Sequence, residues 1–210
     1  PAVRAAALKL AADFKIEEAA EGLVATFRDQ KTDSLQRGQA LQALAGLKSD
    51  ELESLIEAGL ADRESAVRIV ARELLAARDP EAALAVVAAT LEEGSIRERQ
   101  AAIDLLAQLP ESPSRKALLQ QSVEKLLAGT LEEQLQLEVL EAVERSGHAQ
   151  LQEKVAQFHN QLPEGDPIRT HRETLRGGDA DRGRELFFYR SELACLRCHK
   201  VDRQGGAVGP

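Results

Sequence analysis

"VRIVARELLA" (67–76) decides how this chain folds. Its apolar residues recur at i, i+3, i+4 and i+7, the spacing of one buried helix face. An arginine opens it and an alanine follows three positions later. The same arrangement occurs in "VRAAALKLA" (3–11), "QRGQALQALAG" (36–46) and "ERQAAIDLLA" (98–107). The arginines are Arg4, Arg37, Arg68 and Arg99, separated by 33, 31 and 31 residues. "LQLEVLEAV" (135–143) is a weaker fifth copy without the arginine. A fixed period of this length is the mark of a repeat architecture.

Working outward, a second amphipathic stretch follows each copy: "ELESLIEAGL" (51–60), "PEAALAVVAATLEEG" (80–94), "PSRKALLQQSVEKLLAG" (113–129) and "AQLQEKVAQFHNQL" (149–162). Asp79-Pro80 and Ser112-Pro113 each put a capping side chain before a proline suited to the first helical position. Ser95-x-x-Glu98 and Thr130-x-x-Glu133 read as capping boxes. Gly59, Gly94, Gly129 and Gly147 stand where helices should stop. Runs of alternating β-branched residues are missing, so the expected class is all-α. Helix pairs recurring every 31–37 residues form a stack in which each pair buries the apolar face of the next. Small alanines at the contact faces suit close helix approach.

Asp62, Val67, Arg68 and Ala71 form a D-x4-V-R-x-x-A pattern that resembles HEAT repeats, and "AVRAAAL" (2–8) looks like the same element. The resemblance implies an α-solenoid of about five helix pairs over residues 1–162. It implies a scaffold or interaction surface and no reaction.

Composition agrees with a well-solvated helical protein. The 210 residues are 43% hydrophobic and 30% charged, with a net charge of −8. That acidity, and the lack of a Lys/Arg stripe, argue against nucleic acid as a partner. It would suit a protein partner with a basic docking patch. No apolar stretch is long enough for a transmembrane segment. The chain has no Met and starts at Pro1 in mid-helix pattern, so it reads as a segment of a longer protein. The carboxylates of the repeats are expected at solvated helical positions. No catalytic Ser/His/Asp cluster, phosphate loop or paired-histidine metal motif accompanies them.

The pattern changes after residue 162. "LPEGDP" (162–167) and the short helical "IRTHRETLRGG" (168–178) give a linker over 163–177. Beyond it, Phe187, Phe188 and Tyr189 supply three of the chain's six aromatics, and glycines thicken at 177, 178, 183, 205, 206 and 209. The only two cysteines, Cys195 and Cys198, stand in "ELACLRCHK" (192–200), directly before His199. A Cys-x-x-Cys-His stretch can set two thiols against the vinyl groups of a haem and put the imidazole on its iron. Two thiols and an imidazole also raise a zinc site, a thioredoxin-like redox pair or a simple disulfide. Zinc lacks a second ligand pair at suitable spacing. The redox pair lacks its βαβ setting.

"GDADRGRELFF" (178–188) resembles the N-terminal helix of small c-type cytochromes, through Gly178, Asp179, Gly183 and Phe187. Gly209-Pro210 looks like that family's Gly-Pro element. The resemblance implies a covalent haem c on Cys195 and Cys198, His199 as the ligand to iron, and Phe187 packed near the haem edge. Three extra residues before Cys195 leave Phe188 or Tyr189 as the alternative to Phe187. It also implies that the Pro210 carbonyl accepts a hydrogen bond from the ligating imidazole. The family's usual second ligand is a methionine, which this chain lacks. His148, His159 and His171 are the histidines left for that role. Residues 178–210 therefore read as the N-terminal part of a cytochrome c-like domain.

Helical repeats running into such a unit are similar to the multidomain bacterial PVC-type haem-binding CxxCH proteins. That likeness implies an electron-transfer module serving an upstream dehydrogenase-like domain or another redox partner, in the periplasm or cell envelope. The alternative is a protein–protein interaction scaffold whose haem motif is unloaded.

Overall fold

The structure is a computed structural model and describes residues 16–161, 165 and 168–209. The first repeat copy, most of the "LPEGDP" stretch and Pro210 lie outside the described residues. The described chain is all-helical: α1 (Ala20–Arg28), α2 (Ser34–Gly46), α3 (Leu52–Leu60), α4 (Ser65–Arg78), α5 (Pro80–Glu93), α6 (Ile96–Gln108), α7 (Pro113–Leu127), α8 (Gln136–Ser146), α9 (Ala149–Gln161) and α10 (Ala180–Tyr189). The only β pairing among the described residues is an isolated bridge, Val201 to Gln204. No described helix is long and apolar enough to cross a membrane.

Each helix from α1 to α9 packs on its neighbour in the chain. A second set of contacts joins α2 to α4, α4 to α6 and α6 to α8, and on the other row α5 to α7 and α7 to α9. The repeated arginine is the fourth residue of α2, α4 and α6 alike. The alanines three residues on, Ala40, Ala71 and Ala102, are at most 1% exposed, where the stacked helices meet. One apolar cluster runs from Leu23 to Ala71 and another from Ala76 to Leu151, and Leu75 packs against both.

The arginines reach forward. Arg37 of α2 holds Asp62, at the entrance to α4, through its two terminal guanidinium nitrogens. Its Nε donates to the Phe27 carbonyl at 2.8 Å. Arg68 of α4 grips Glu98, in the first turn of α6, at 2.8 and 2.7 Å. Arg72 adds a bond to the same carboxylate at 2.9 Å. Arg99 of α6 holds Glu132, just before α8, at 2.5 and 2.9 Å. Each repeat thus ties its own fourth residue to a carboxylate at the start of the next row helix, where the helix dipole also favours negative charge.

The capping expectations hold at three places. Asp79 accepts from the amides of Glu81 and Ala82, and Ser112 accepts from Arg115. The Glu98 carboxylate reaches back to the Ser95 amide and hydroxyl as a capping box. Thr130-x-x-Glu133 is not one: the Thr130 hydroxyl donates back to the Lys125 carbonyl, and the chain enters α8 through a 3-10 turn at Glu133–Leu135. Gly94, Gly129 and Gly147 mark helix ends as expected. Gly59 lies inside α3 instead, with a packing role. A Cβ there would come within 2.9 Å of the Ala71 Cβ.

These ion pairs set the acid response. Burial raises the Asp62 pKa, but the Arg37 guanidinium, the Glu64 amide and Gln30 together outweigh it and hold the carboxyl below its ordinary value. Arg68, despite burial, holds Glu98 far below, and Arg99 lowers Glu132 from its ordinary value. A depressed carboxylate gives stability that is present above its unfolded pKa, about 4, and lost as pH falls through the folded value. We expect Glu98→Gln to be less stable at pH 7 and to lose stability less steeply between about pH 4.5 and 2, as read from urea midpoints. Arg37→Ala strands a buried carboxylate and should cost about 3–5 kcal/mol. Arg145→Ala breaks the exposed pair with Asp104 and should stay within about 1 kcal/mol. Equal losses at the two arginines in urea titration would contradict the account.

Candidate functional site

Helix α10 begins where Asp179 accepts a hydrogen bond from the Arg182 amide at 2.9 Å. Its last turn carries Leu186, Phe187 and Phe188, all half-buried. After a turn with Ala194 at φ +51°, a single 3-10 turn spans Cys195–Arg197. The His199 amide closes on the Cys195 carbonyl at 3.0 Å, so the two cysteines and the histidine sit on one compact turn. Both thiols are free, Cys195 half-buried and Cys198 exposed.

The chain then doubles back. Val201 and Gln204 exchange both backbone hydrogen bonds at 2.9 Å, across a two-residue turn. Asp202 and Arg203 both take positive φ, +51° and +66°, as a primed hairpin turn demands. The Gly206 amide donates to Leu196, and the amides of Val208 and Gly209 both donate to the Cys198 carbonyl. This close return requires glycine. A Cβ on Gly206 would stand 2.2 Å from the Arg197 carbonyl oxygen. One on Gly209 would stand 2.9 Å from both Nδ1 and Cε1 of His199. The imidazole therefore lies directly on the Gly209 backbone.

Phe187 also touches this imidazole, its ring tilted and its centroid 6.4 Å from that of His199. Arg184 lies over the Phe188 ring at 4.7 Å and pairs with Asp202 at 3.0 Å, which ties α10 to the hairpin. Of the three aromatics, Phe187 is the one in ring contact with the histidine; Tyr189 is 82% exposed. A Cβ on Gly183 would meet nothing within 4 Å, so among the described residues no element packs closely there. Neither α10 nor the 195–197 turn contains a buried residue.

The remaining histidines sit elsewhere. His148 pairs with Glu111 at 3.0 Å. His159 and His171 share a groove of about 510 Å³ between α8, α9 and the 3-10 segment Arg169–Leu175, and no residue of 180–209 lines it. No group of three His, Cys, Asp or Glu residues is placed to hold a metal ion among the described residues. Two contacts had no sequence signal: the Arg184–Asp202 pair and the hairpin turn, whose Asp-Arg centre lacks the usual glycine.

Comparison with protein-family models, with curated proteins and with solved structures gave no match.

Two glycine substitutions separate the roles of these positions. Gly206→Ala should break the return loop, raising amide exchange at Val208 and Gly209 at least ten-fold while α4 and α6 stay protected. Gly183→Ala, in an open helix interior, should stabilise α10 by about 0.5–1 kcal/mol, read as slower exchange there. An unchanged loop in Gly206→Ala would contradict the close-packing argument.

Proposed function

We propose that this chain is a c-type haem-binding electron-transfer module carried on a HEAT-like α-solenoid, serving an upstream oxidoreductase domain in the periplasm or cell envelope. The observation that carries this reading is the seat of His199. The residue after a Cys-x-x-Cys pair lies against the Gly209 backbone and in ring contact with Phe187, in a segment that buries no side chain of its own.

The residues present fit the group. Cys195 and Cys198 would hold haem through two thioether bonds, and His199 would ligate its iron on one face. Haem bound in this way supplies one-electron transfer. The chain's own part is to fix the imidazole and to shield it. Gly209 leaves room for the Nδ1–Cε1 side of the ring, where the resemblance puts the carbonyl of the next residue, Pro210. A hydrogen bond there would fix the tautomer and raise the basicity of the other nitrogen. Phe187, Phe188, Leu186 and Leu196 are half-buried apolar groups, with apolar surface left for a large ligand to cover.

The solenoid reading rests on the neighbour and next-neighbour helix packing and on the arginine–carboxylate bonds from one repeat to the next. A stack of this kind holds its C-terminal passenger at a set distance from whatever binds the stack.

The test is expression in a host with cytochrome c maturation machinery, followed by a haem stain on a denaturing gel. We expect covalent haem in the wild type and none in the Cys195→Ala/Cys198→Ala variant. A wild-type chain without covalent haem would sink the electron-transfer reading and leave the interaction scaffold.

A further inference from the structure

The segment before α10 returns to the helical stack far from its neighbours in sequence. Gln100 of α6 uses one side-chain nitrogen to donate to two backbone carbonyls, Gln134 at 2.8 Å and Gly177 at 3.1 Å. The first belongs to the 3-10 turn before α8, the second to the approach to α10. Gly177 takes φ +82°, and a Cβ there would stand 2.5 Å from the Gln134 carbonyl oxygen and 2.7 Å from the Gln100 nitrogen. Two residues on, one oxygen of Asp179 caps α10 and the other accepts from Arg97 of α6 at 2.9 Å. Arg176 pairs with Glu133 at 3.2 Å.

We propose that α6 and the 133–135 turn form a docking platform that holds the C-terminal unit in one fixed orientation, with Gly177 closing the seam. The platform acts on the motif through α10. Asp179 anchors the helix start, and the same helix delivers Phe187 to His199 and Arg184 to Asp202. The sixth helix of the stack thereby sets where Cys195, Cys198 and His199 point. This inference does not rest on haem being bound.

The contributions to the seam are unequal. The Arg97–Asp179 and Arg176–Glu133 pairs are exposed on both partners. Pairs of that kind contribute little and are screened by salt. Gly177 and Gln100 act at close range through backbone groups, and a side chain at 177 is opposed both by its positive φ and by the Gln134 carbonyl. Gly178 is the internal control, since a Cβ there meets nothing.

Backbone 15N relaxation on the whole chain tests this, with or without haem. In the wild type, amides of 180–209 should share the correlation time of the helices in 20–161. In Gly177→Val that of 180–209 should fall roughly two-fold, on the nanosecond scale, while the thermal midpoint of the stack is unchanged. Gln100→Ala should move the same way by less, and Gly178→Ala and Arg97→Ala should leave it in place. Independent tumbling in the wild type overturns the proposal. So does a Gly177→Val chain that still tumbles as one body, or one that unfolds outright while Gln100→Ala changes nothing.

Discussion

The structure depends on one recurring contact, an arginine in the first turns of one row helix clamped to a carboxylate at the head of the next. Arg37 and Asp62 show its character. Their side chains are 1% and 5% exposed, so both charges are withdrawn from water. Desolvation of that depth offsets much of the attraction, and the pair adds little net stability over an apolar alternative. What it adds is register. Slipping one helix along the next by a turn would leave two buried charges unpaired, at a cost that no apolar contact in the stack replaces. A two-pronged guanidinium adds direction to the fit that the close-packed apolar faces already impose.

This constraint was half legible in the sequence. The arginines recur at a near-constant interval and their alanine partners at a fixed offset, so helices, pairing and the buried stripe could be read directly. The carboxylates could not. They stand 25, 30 and 33 residues beyond their arginines, because the linking helices and turns differ in length. Glu98 was visible only as a capping residue, and in the fold the same carboxylate serves cap and clamp together. Glu132 had no signal, and its neighbour Glu133 suggested a capping box that a 3-10 turn replaces. Gly59 misled for a related reason. A glycine near a helix end is read as a stop, whereas here it makes room for Ala71 of another helix, and that neighbour is set by tertiary packing.

The C-terminal segment divides the same way. The spacing of Cys195, Cys198 and His199 is local chemistry and stood in plain view. The seat of His199 is not local. It arises from a chain reversal through Asp202, a residue type that tolerates positive φ, and Arg203, which has no usual claim to it. They are held there by the Val201–Gln204 bonds and by Arg184 from another element. Gly205 and Gly206 are the trace of that reversal, visible as a glycine cluster but silent on which carbonyls they approach.

A unit with no buried side chain cannot hold itself together by burial. The helical stack and residues 180–209 therefore stand on different physics. The stack is an apolar core with charged pins. The terminal unit is a loop closed by backbone hydrogen bonds around glycine, hung from α6 by Gly177 and Gln100. Such a loop fixes backbone better than it fixes side chains, which leaves Phe187, Leu196 and Cys195 half-buried and Cys198 exposed, while the imidazole lies against Gly209 and Phe187. For a large apolar ligand that arrangement is favourable. Ordering of the histidine has been met by the fold beforehand, and the burial still missing is left for the ligand to supply.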